Sequence, residues 1–530
     1  MFRKVLVANR GEIAVRIIRA VHELGAEAVA IYSEVDRKAL HVRLADYAYP
    51  VGPAPAGQSY LNIPAILEVA RRSGAEAVHP GYGFLSESPA FAQACVAAGL
   101  AFVGPTPDAM ALMGDKVAAR RLAAAAGVPT LSGTPDPVVD DAAAAREADE
   151  IGYPLLIKAA AGGGGKGMRA VRTPEELAPA LAQARSEAAA SFGDGSVYLE
   201  KLVERPRHIE VQLFGDGAGR VVHLGERECS IQRRYQKVVE ECPAPNLPDA
   251  VRERLWQAAV AVTSAVRYRS AGTIEFLYDP ASQEFYFLEM NARLQVEHPV
   301  TEAVTGVDLV QAQLRLASGA SIEEALAGFS PQPCDPQGGV RTPPHAAVGG
   351  SLQGSGLHAI EARIYAEDPD QSWFPSTGTL AIVREPGGPG IRVDSACEPG
   401  MEVTVYYDPL LAKLIAWGRS RAEAIARLRR ALDEYVLAGV RTNLPFHRWL
   451  VRDEAFLAAE LSTAFIAERW PSTGAEVERP GAGDVVRAAA LVAGLDFVAR
   501  SRAGVARPAL GRTAPDGSIW RYVARRESLR

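Results

Sequence analysis

A chain of 530 residues, 48% hydrophobic and 23% charged, carries enough apolar matter for about two to four domains with ample cores. Its net charge of −6 and its sequence pI of about 6.0 give no support for a nucleic-acid-binding or membrane-surface protein. Cys95, Cys229, Cys242, Cys334 and Cys397 lie far apart without metal-ligand spacing, as expected of reduced thiols; with no signal-peptide core and no segment apolar enough to span a bilayer, a cytoplasmic location is expected.

The chain opens with a strand from Lys4 to Ala8, the turn Asn9–Glu12, a helix with Ile13, Ile17, Val21 and Leu24 on one face, and the strand A-V-A-I-Y. That is a parallel α/β beginning, although the turn lacks G-x-G-x-x-G and is a weak dinucleotide site. The segment E-A-V-H-P-G-Y-G-F-L-S-E ends a strand at Val78 and opens a loop with Gly81 and Gly83 around Tyr82. Glycines there allow close backbone approach to a ligand beyond the strand end, and a tight turn with a packed aromatic explains them equally well. From Pro105 a helical pattern runs to Gly127-Val128-Pro129 and contains Lys116, by itself an ordinary surface lysine.

After an acid-rich connection, Y-P-L-L-I-K-A predicts a strand with Lys158 near its end, followed by the glycine loop Gly162–Gly167. It is not a Walker A loop, because neither Ser nor Thr follows Lys166. Such a loop between strands can fold over phosphates and donate N–H groups to them, and so much glycine is costly for a mere hairpin tip. V-Y-L-E-K-L-V places Glu200 and Lys201 where the chain crosses between domains, and P-R-H-I-E-V-Q-L-F-G-D predicts a strand carrying His208 and Glu210. A lone strand histidine is more often structural than functional. The run E-R-E-C-S-I-Q-R-R-Y-Q-K-V-V-E-E around Lys237 is dense in both charge signs and uninformative as a bare motif.

The chain is organised around Thr273–His298, where two aromatic and branched runs flank D-P-A-S-Q, the signature of an antiparallel hairpin. If Asp279 faces Phe285, then Leu277 faces Phe287 and Glu275 faces Glu289. Continued alternation would put Glu289, Asn291, Arg293, Gln295 and Glu297 on one side before a helix near Val300. The plain alternative is one solvated face of an edge strand. Two carboxylates and an amide oxygen about a strand spacing apart are hard ligands suited to Mg²⁺ or Mn²⁺ with substrate phosphates, so a metal–nucleotide site is expected.

The motifs N-R-G-E-I-A, H-P-G-Y-G-F-L-S-E, L-M-G-D-K, I-K-A with its glycine loop, Q-R-R-Y-Q-K-V-V-E-E, E-M-N-A-R-L-Q-V-E-H-P-V-T-E, E-A-R-I-Y-A-E-D, Y-Y-D-P-L-L-A-K-L-I and G-V-R-T-N stand in fixed order from Met1 to about Leu450. In this the chain closely resembles biotin carboxylase, an ATP-grasp enzyme. The resemblance implies an α/β ATP-grasp fold: an N-terminal parallel α/β domain (1–113), an ATP-grasp region (114–317) with a glycine-loop lid at about 130–203 and the metal hairpin at 273–298, and a C-terminal α+β domain (357–451). It implies that ATP activates bicarbonate as carboxyphosphate and that the N1 nitrogen of carrier-borne biotin is carboxylated.

Carried over by position, the resemblance gives ATP to Lys116, Lys158, Gly164, Gly165, Glu200, Lys201, Val203, His208, Gln232 and Tyr235, and the metal to Glu275, Glu289 and Asn291. Arg293, Gln295, Val296 and Lys237 would hold bicarbonate. Glu297 would be the base that deprotonates it. Arg363, with Tyr82 beside biotin, would stabilise the anion formed as the biotin nitrogen loses its proton. Tyr235 is a departure, since the family generally has His in Q-R-R-H-Q-K; an altered ATP affinity with intact chemistry is expected.

Residues 329–356 read as a flexible Pro/Gly-rich surface insertion, with a docking loop as the minority alternative. The arginine-rich tail 474–530 resembles the start of the linker in longer acyl-CoA carboxylase chains and is a candidate docking segment. None of the six methionines is followed by lysine, the family's biotin attachment pair. The expected partners are therefore a biotin carboxyl carrier protein and carboxyltransferase subunits in trans, with a homodimer whose interface includes Arg19 and Glu23. Two other readings compete. Another ATP-grasp carboxylate–amine ligase fits the lysines and metal carboxylates but not H-P-G-Y-G-F, Arg293 to Glu297 and Arg363 together; a silent scaffold protein has only Tyr235 in its favour.

Overall fold

The computed structural model describes residues 1–134, 136–138, 140–160, 168–326 and 357–471. The chain divides into two units, Met1–Ser472 and Thr473–Arg530, and the architecture below is that of the first. Gly164 and Gly165 of the glycine loop, the 329–356 insertion and the 474–530 tail fall outside the described residues. Among the described residues no helix is long and apolar enough to cross a membrane.

Five strands make a parallel sheet in the order Tyr47–Gly52, Glu27–Ser33, Lys4–Val7, Ala77–His79, Ala101–Phe102. The strand order reverses between Lys4–Val7 and Ala77–His79, the place where ligands of doubly wound sheets bind. Here the crevice is laced shut by Asn9, whose Nδ2 donates to the carbonyls of Pro80 (2.7 Å) and Tyr82 (2.8 Å). Gly81, at φ +64°, is required by that packing: a Cβ would come 3.0 Å from both Asn9 Nδ2 and Ile13 Cγ1.

The helical stretch after Pro105 is two helices, Pro107–Gly114 and Lys116–Ala125. Asp115 breaks it because its Oδ1 accepts from the N–H groups of Val117 and Ala118, both at 3.0 Å, and so caps a new helix. Lys116 consequently opens a helix instead of lying inside one. The segment expected to be a lid contains a three-stranded antiparallel sheet, Arg169–Val171, Leu155–Ala159 and Val197–Lys201. Helices Asp141–Ile151 and Pro174–Phe192 cover it around a separate core that includes Leu155, Ile157, Leu181, Val197 and Leu199.

An eight-stranded antiparallel sheet runs in the order Glu284–Asn291, Arg269–Asp279, Arg207–Asp216, Val221–Arg233, Gln236–Cys242, His358–Tyr365, Leu410–Gly418, Ile391–Ser395. The first two form the expected hairpin, with one correction. Asp279 faces Glu284, and Leu277 faces Tyr286, one residue out of the expected register, yet Glu275 does face Glu289. The turn occupies Pro280–Gln283 only, and a bulge between Phe276 and Glu275 absorbs the extra residue, Leu288. Beyond Asn291 the chain leaves extended geometry, and Glu297 (φ −79°, ψ 7°) becomes the N-cap of the helix His298–Thr305. Alternation therefore does not bring Arg293, Gln295 and Glu297 to the site; the fold of the loop does.

Candidate active site

Residues directly opposite each other on antiparallel strands share a face, and the register carries a strip of charge across the sheet. Glu289 faces Glu275, Glu275 faces Glu210, and Glu210 faces Arg227. Farther along, Gln232 faces Lys237, and Arg363 faces Lys413, which in turn faces Asp394. On Arg207–Asp216 the other face is apolar, Ile209, Val211 and Leu213 alternating with His208, Glu210 and Gln212. Both faces of that strand are buried.

Lys237 is the hub. Its Nζ donates to Glu210 (2.5 Å), Glu275 (2.7 Å) and Glu297 (2.7 Å). Burial alone would lower its pKa, but those three carboxylates outweigh burial and hold it well above the usual lysine value. The second oxygen of Glu297 accepts from Arg363 Nη2 at 2.8 Å, and the same nitrogen lies 2.5 Å from Glu240. Burial would push Glu297 up; Lys237, Arg363 and Arg227 override it and keep the carboxyl well below its ordinary range.

Beneath this hub Arg227 is fully buried. It donates to Glu210 (2.5 Å), Gln212 (2.6 Å), Thr301 (3.0 Å), Thr273 (3.2 Å) and Gln295 (2.5 Å). Gln295 passes the connection on, its Nε2 donating to Glu275 at 3.0 Å. Arg293 is engaged by Glu87 (2.8 Å) and Asn291 Oδ1 (2.7 Å), and the Val296 carbonyl accepts from Lys413 (3.0 Å).

A cavity of about 710 Å³ opens between the lid and this strip. Lys116, Lys158, Glu200, Lys201, Val203, His208, Gln232, Tyr235, Glu275 and Glu289 all line it. Arg120, which no sequence motif singles out, lines it too and contacts Glu200 together with Lys158. Burial pushes Lys158 down to about 7, with Arg120 and Lys116 adding to the fall and the Glu289 carboxylate working against it. Two cations on one carboxylate, with Lys116 near Glu289 at 3.7 Å, make that end ready for a polyanion. The Lys201 ammonium is tied to the carbonyls of Gly152 (3.0 Å) and Tyr153 (2.9 Å), which leaves its stem and backbone to form wall. Gln232 donates to the Cys229 carbonyl (2.8 Å) and shares a 2.8 Å bond with His208 Nδ1. Tyr235 sits with Arg234 at the tip of a hairpin, both at positive φ (+65° and +49°), and is 55% exposed at the rim.

Tyr82 does not line this cavity. Its ring packs against the core between the sheets, 5.6 Å from Lys413 Nζ, and its buried hydroxyl has no hydrogen-bond partner among the described residues.

The donor set fits a divalent cation. Glu289 is pushed up first by burial and then by the charge of Glu275, a repulsion that a hard cation would relieve. His208, Glu210 and Glu275 also present ligand atoms within 4.8 Å of one another. Asn291 gives its oxygen to Arg293 and its amide to Glu275 (2.9 Å), so it joins a metal shell only after exchanging those partners.

Sequence reasoning missed Glu210, Arg227 and Glu240 as members of the site. The alternation His208, Glu210, Gln212 against Ile209, Val211, Leu213 was a legible signal for the first. Nothing local distinguishes Arg227 or Glu240, because the two-residue turn at Arg234-Tyr235 that pairs their strands uses residues which seldom take positive φ.

Residues 1–110 match the family described as biotin carboxylase, N-terminal domain; 115–325 match the carbamoyl-phosphate synthase L chain, ATP binding domain; and 361–468 match the biotin carboxylase C-terminal domain. The chain is 47% identical over 466 residues to biotin carboxylase 1 of Bacillus subtilis, covering 88% of this chain and 98% of that protein. It is 48% identical over 467 residues to the biotin carboxylase of a Nostoc species, covering 88% and 99%. Among solved structures, the biotin carboxylase domain dimer of Hydrogenobacter thermophilus 2-oxoglutarate carboxylase, in complex with MgADP, ADP and bicarbonate, superposes with a TM-score of 0.79 at 44% identity, covering 88% of this chain and 98% of that one.

Proposed function

Because the chain belongs to the biotin carboxylase family and so carries out the ATP-dependent carboxylation of biotin from bicarbonate, we propose that the charged strip is its machinery, with Glu297 as base. The observation that carries this assignment is Glu297 held between Lys237 and Arg363 at 2.7 and 2.8 Å. Lys116, Arg120 and Lys158 take the nucleotide phosphates, Glu200 orders Arg120 and Lys158, and Gly164 and Gly165 are assigned to the lid over them. Glu275 and Glu289, with Asn291, would hold Mg²⁺, which when bound neutralises phosphate charge. Arg293, Gln295 and Val296 hold bicarbonate.

Lys237 is shared among three carboxylates, so an anion arriving beside it competes for its ammonium. As Lys237 turns to the anion, Glu297 loses its strongest electrostatic brake and gains the basicity needed to take the bicarbonate proton. Arg363 then remains to meet the charge that develops on biotin as its nitrogen is deprotonated, with Tyr82 assigned beside the same ligand. Arg363→Ala is expected to lower biotin-dependent turnover by about a hundredfold or more with ATP affinity unchanged, read from steady-state kinetics beside nucleotide titration; normal carboxylation by that variant removes Arg363 from this role.

Nucleotide binding should carry a proton onto Lys158. With its pKa at about 7 in the free protein, the ammonium is being lost as pH rises through neutrality, and bound polyphosphate restores it. Affinity for ATP is therefore expected to fall with rising pH above about 7, by at most about tenfold per unit, with proton uptake seen by calorimetry in buffers of differing ionisation enthalpy. Equal affinity on both sides of neutrality contradicts this.

The proposed partners are a biotin carboxyl carrier protein in trans and a carboxyltransferase of the acyl-CoA class, a reading supported by the likeness to biotin carboxylases matched over 98% and 99% of their length. A homodimer and a cytoplasmic location complete the proposal: Arg19 and Glu23 are exposed on the first helix, and the four described cysteines are free thiols. Bicarbonate-dependent ATP cleavage with Mg²⁺, measured with free biotin and with a biotinylated carrier protein, tests the whole; no stimulation by either refutes it.

A further inference from the structure

Behind Glu297, on the side away from the nucleotide cavity, stands a second cation. Lys413 lies on the strand Leu410–Gly418 with its side chain 0% exposed. An ammonium removed from water is costly unless something needs it there, and a well-packed apolar side chain would serve stability as well or better. Its surroundings show what it holds. Glu12 from the first helix (3.4 Å) and Asp394 from the neighbouring strand (3.6 Å) balance its charge. Asp394 already has the Arg392 fork, at 2.8 and 2.7 Å, and neither Glu12 oxygen has a hydrogen-bond partner among the described residues. The Lys413 hydrogen bond goes to the Val296 carbonyl at 3.0 Å.

Register makes this contact part of a pair. Lys413 stands directly opposite Arg363 on the adjacent strand, so the two side chains share a face. They grasp consecutive residues of one loop: Lys413 takes the carbonyl of Val296, and Arg363 takes the carboxylate of Glu297 at 2.8 Å. The same loop is fixed from its other end, where His298 Nδ1 meets the Gln295 carbonyl at 2.7 Å and Arg227 holds the Gln295 side chain at 2.5 Å. Lys237 and Arg363 pull on the Glu297 carboxylate, and without an anchor on the backbone those pulls would be free to displace it. A loop outside regular strand geometry has no ladder of its own to resist them.

We infer that Lys413 is a positioning residue, a buried cation that anchors the Val296 carbonyl so that the Glu297 carboxylate and the bicarbonate place beside it keep their geometry. The inference rests on Glu297 being the base. Lys413 itself touches neither nucleotide nor bicarbonate in this arrangement; it acts through the backbone it holds.

Lys413→Met keeps the apolar stem and removes the ammonium. It is expected to raise KM for bicarbonate and lower kcat so that kcat/KM for bicarbonate falls about a hundredfold, as displacement of a reacting group by about 1 Å would do, with KM for ATP unchanged. Because that change strands Glu12, Lys413→Met/Glu12→Gln carries the test if the single variant does not fold, and Glu12→Gln alone is expected to keep wild-type kinetics. The split between bicarbonate and ATP separates positioning from general weakening. If either Lys413 variant folds and matches wild type in bicarbonate kinetics, the inference is overturned. It is equally overturned if affinity for ATP falls in step with bicarbonate and with the folded fraction by circular dichroism. Absence of bicarbonate-dependent turnover in the wild-type protein would instead remove the reading of Glu297 as base, and this inference with it.

Discussion

Glu297→Gln is expected to lower bicarbonate-dependent ATP cleavage about a thousandfold, the scale of a positioned general base, and to leave ATP affinity unchanged. Glutamine keeps the shape and one acceptor oxygen, so one of Arg363 and Lys237 retains an acceptor while the amide NH2 faces the other, and the capacity to accept a proton is gone. The cavity contacts assigned to the nucleotide lie on Lys116, Arg120 and Lys158, which Glu297 does not touch. Nucleotide titration beside steady-state kinetics checks the split, and a variant that retains turnover removes Glu297 from the chemistry. The pH dependence has a definite sign. The folded-state pKa of Glu297 is depressed, so the stability its ion pairs contribute is fully present above the ordinary carboxylate range and is lost only as pH falls toward that depressed value. Activity in the free enzyme should therefore show no acid limb near the usual glutamate value, and finding one assigned to Glu297 would mean that Lys237 and Arg363 do not hold it as described.

Arg227→Leu should have the largest effect on folding, a loss of about 3–5 kcal/mol in denaturant unfolding. Arg227 is fully buried and joins Glu210, Gln212, Thr273, Gln295 and Thr301. Removing it leaves several polar groups without a donor, and it leaves Glu210 with Lys237 as its one hydrogen-bond donor among the described side chains. Arg227→Leu/Glu210→Leu is expected to recover part of the loss, because the uncompensated carboxylate is gone as well. By contrast Arg71→Ala, which breaks an exposed pair with Glu68 three residues away, is expected to leave the unfolding midpoint where it is. A small effect from Arg227→Leu would show that the network is not a structural unit.

Arg363 and Glu275 were visible in the sequence as chemistry, because E-A-R-I-Y and the hairpin runs sit in motifs whose order is specific. The Glu275–Glu289 pairing was visible as geometry, since strand alternation and a polar turn constrain it; the near-turn residues slipped because a bulge restores register without leaving any compositional mark. Lys116 lay in a continuous helical pattern, and one Asp side chain competing for two backbone N–H groups was enough to split it.

Local pattern thus determined the parallel α/β opening, the strand Leu155–Ala159, the hairpin and its facing carboxylates, all of which depend on side-chain period and turn residues a few positions apart. Only the tertiary structure decided that Glu297, at a helix N-cap, meets Lys237 and Arg363 from two other strands, that Arg227 underlies all three, and that Lys413 holds the backbone beside them. Those partners lie between 60 and 117 residues apart in the chain. Residues that far apart meet through sheet register and loop closure, and the burial that fixes their charges exists only once the whole sheet has assembled.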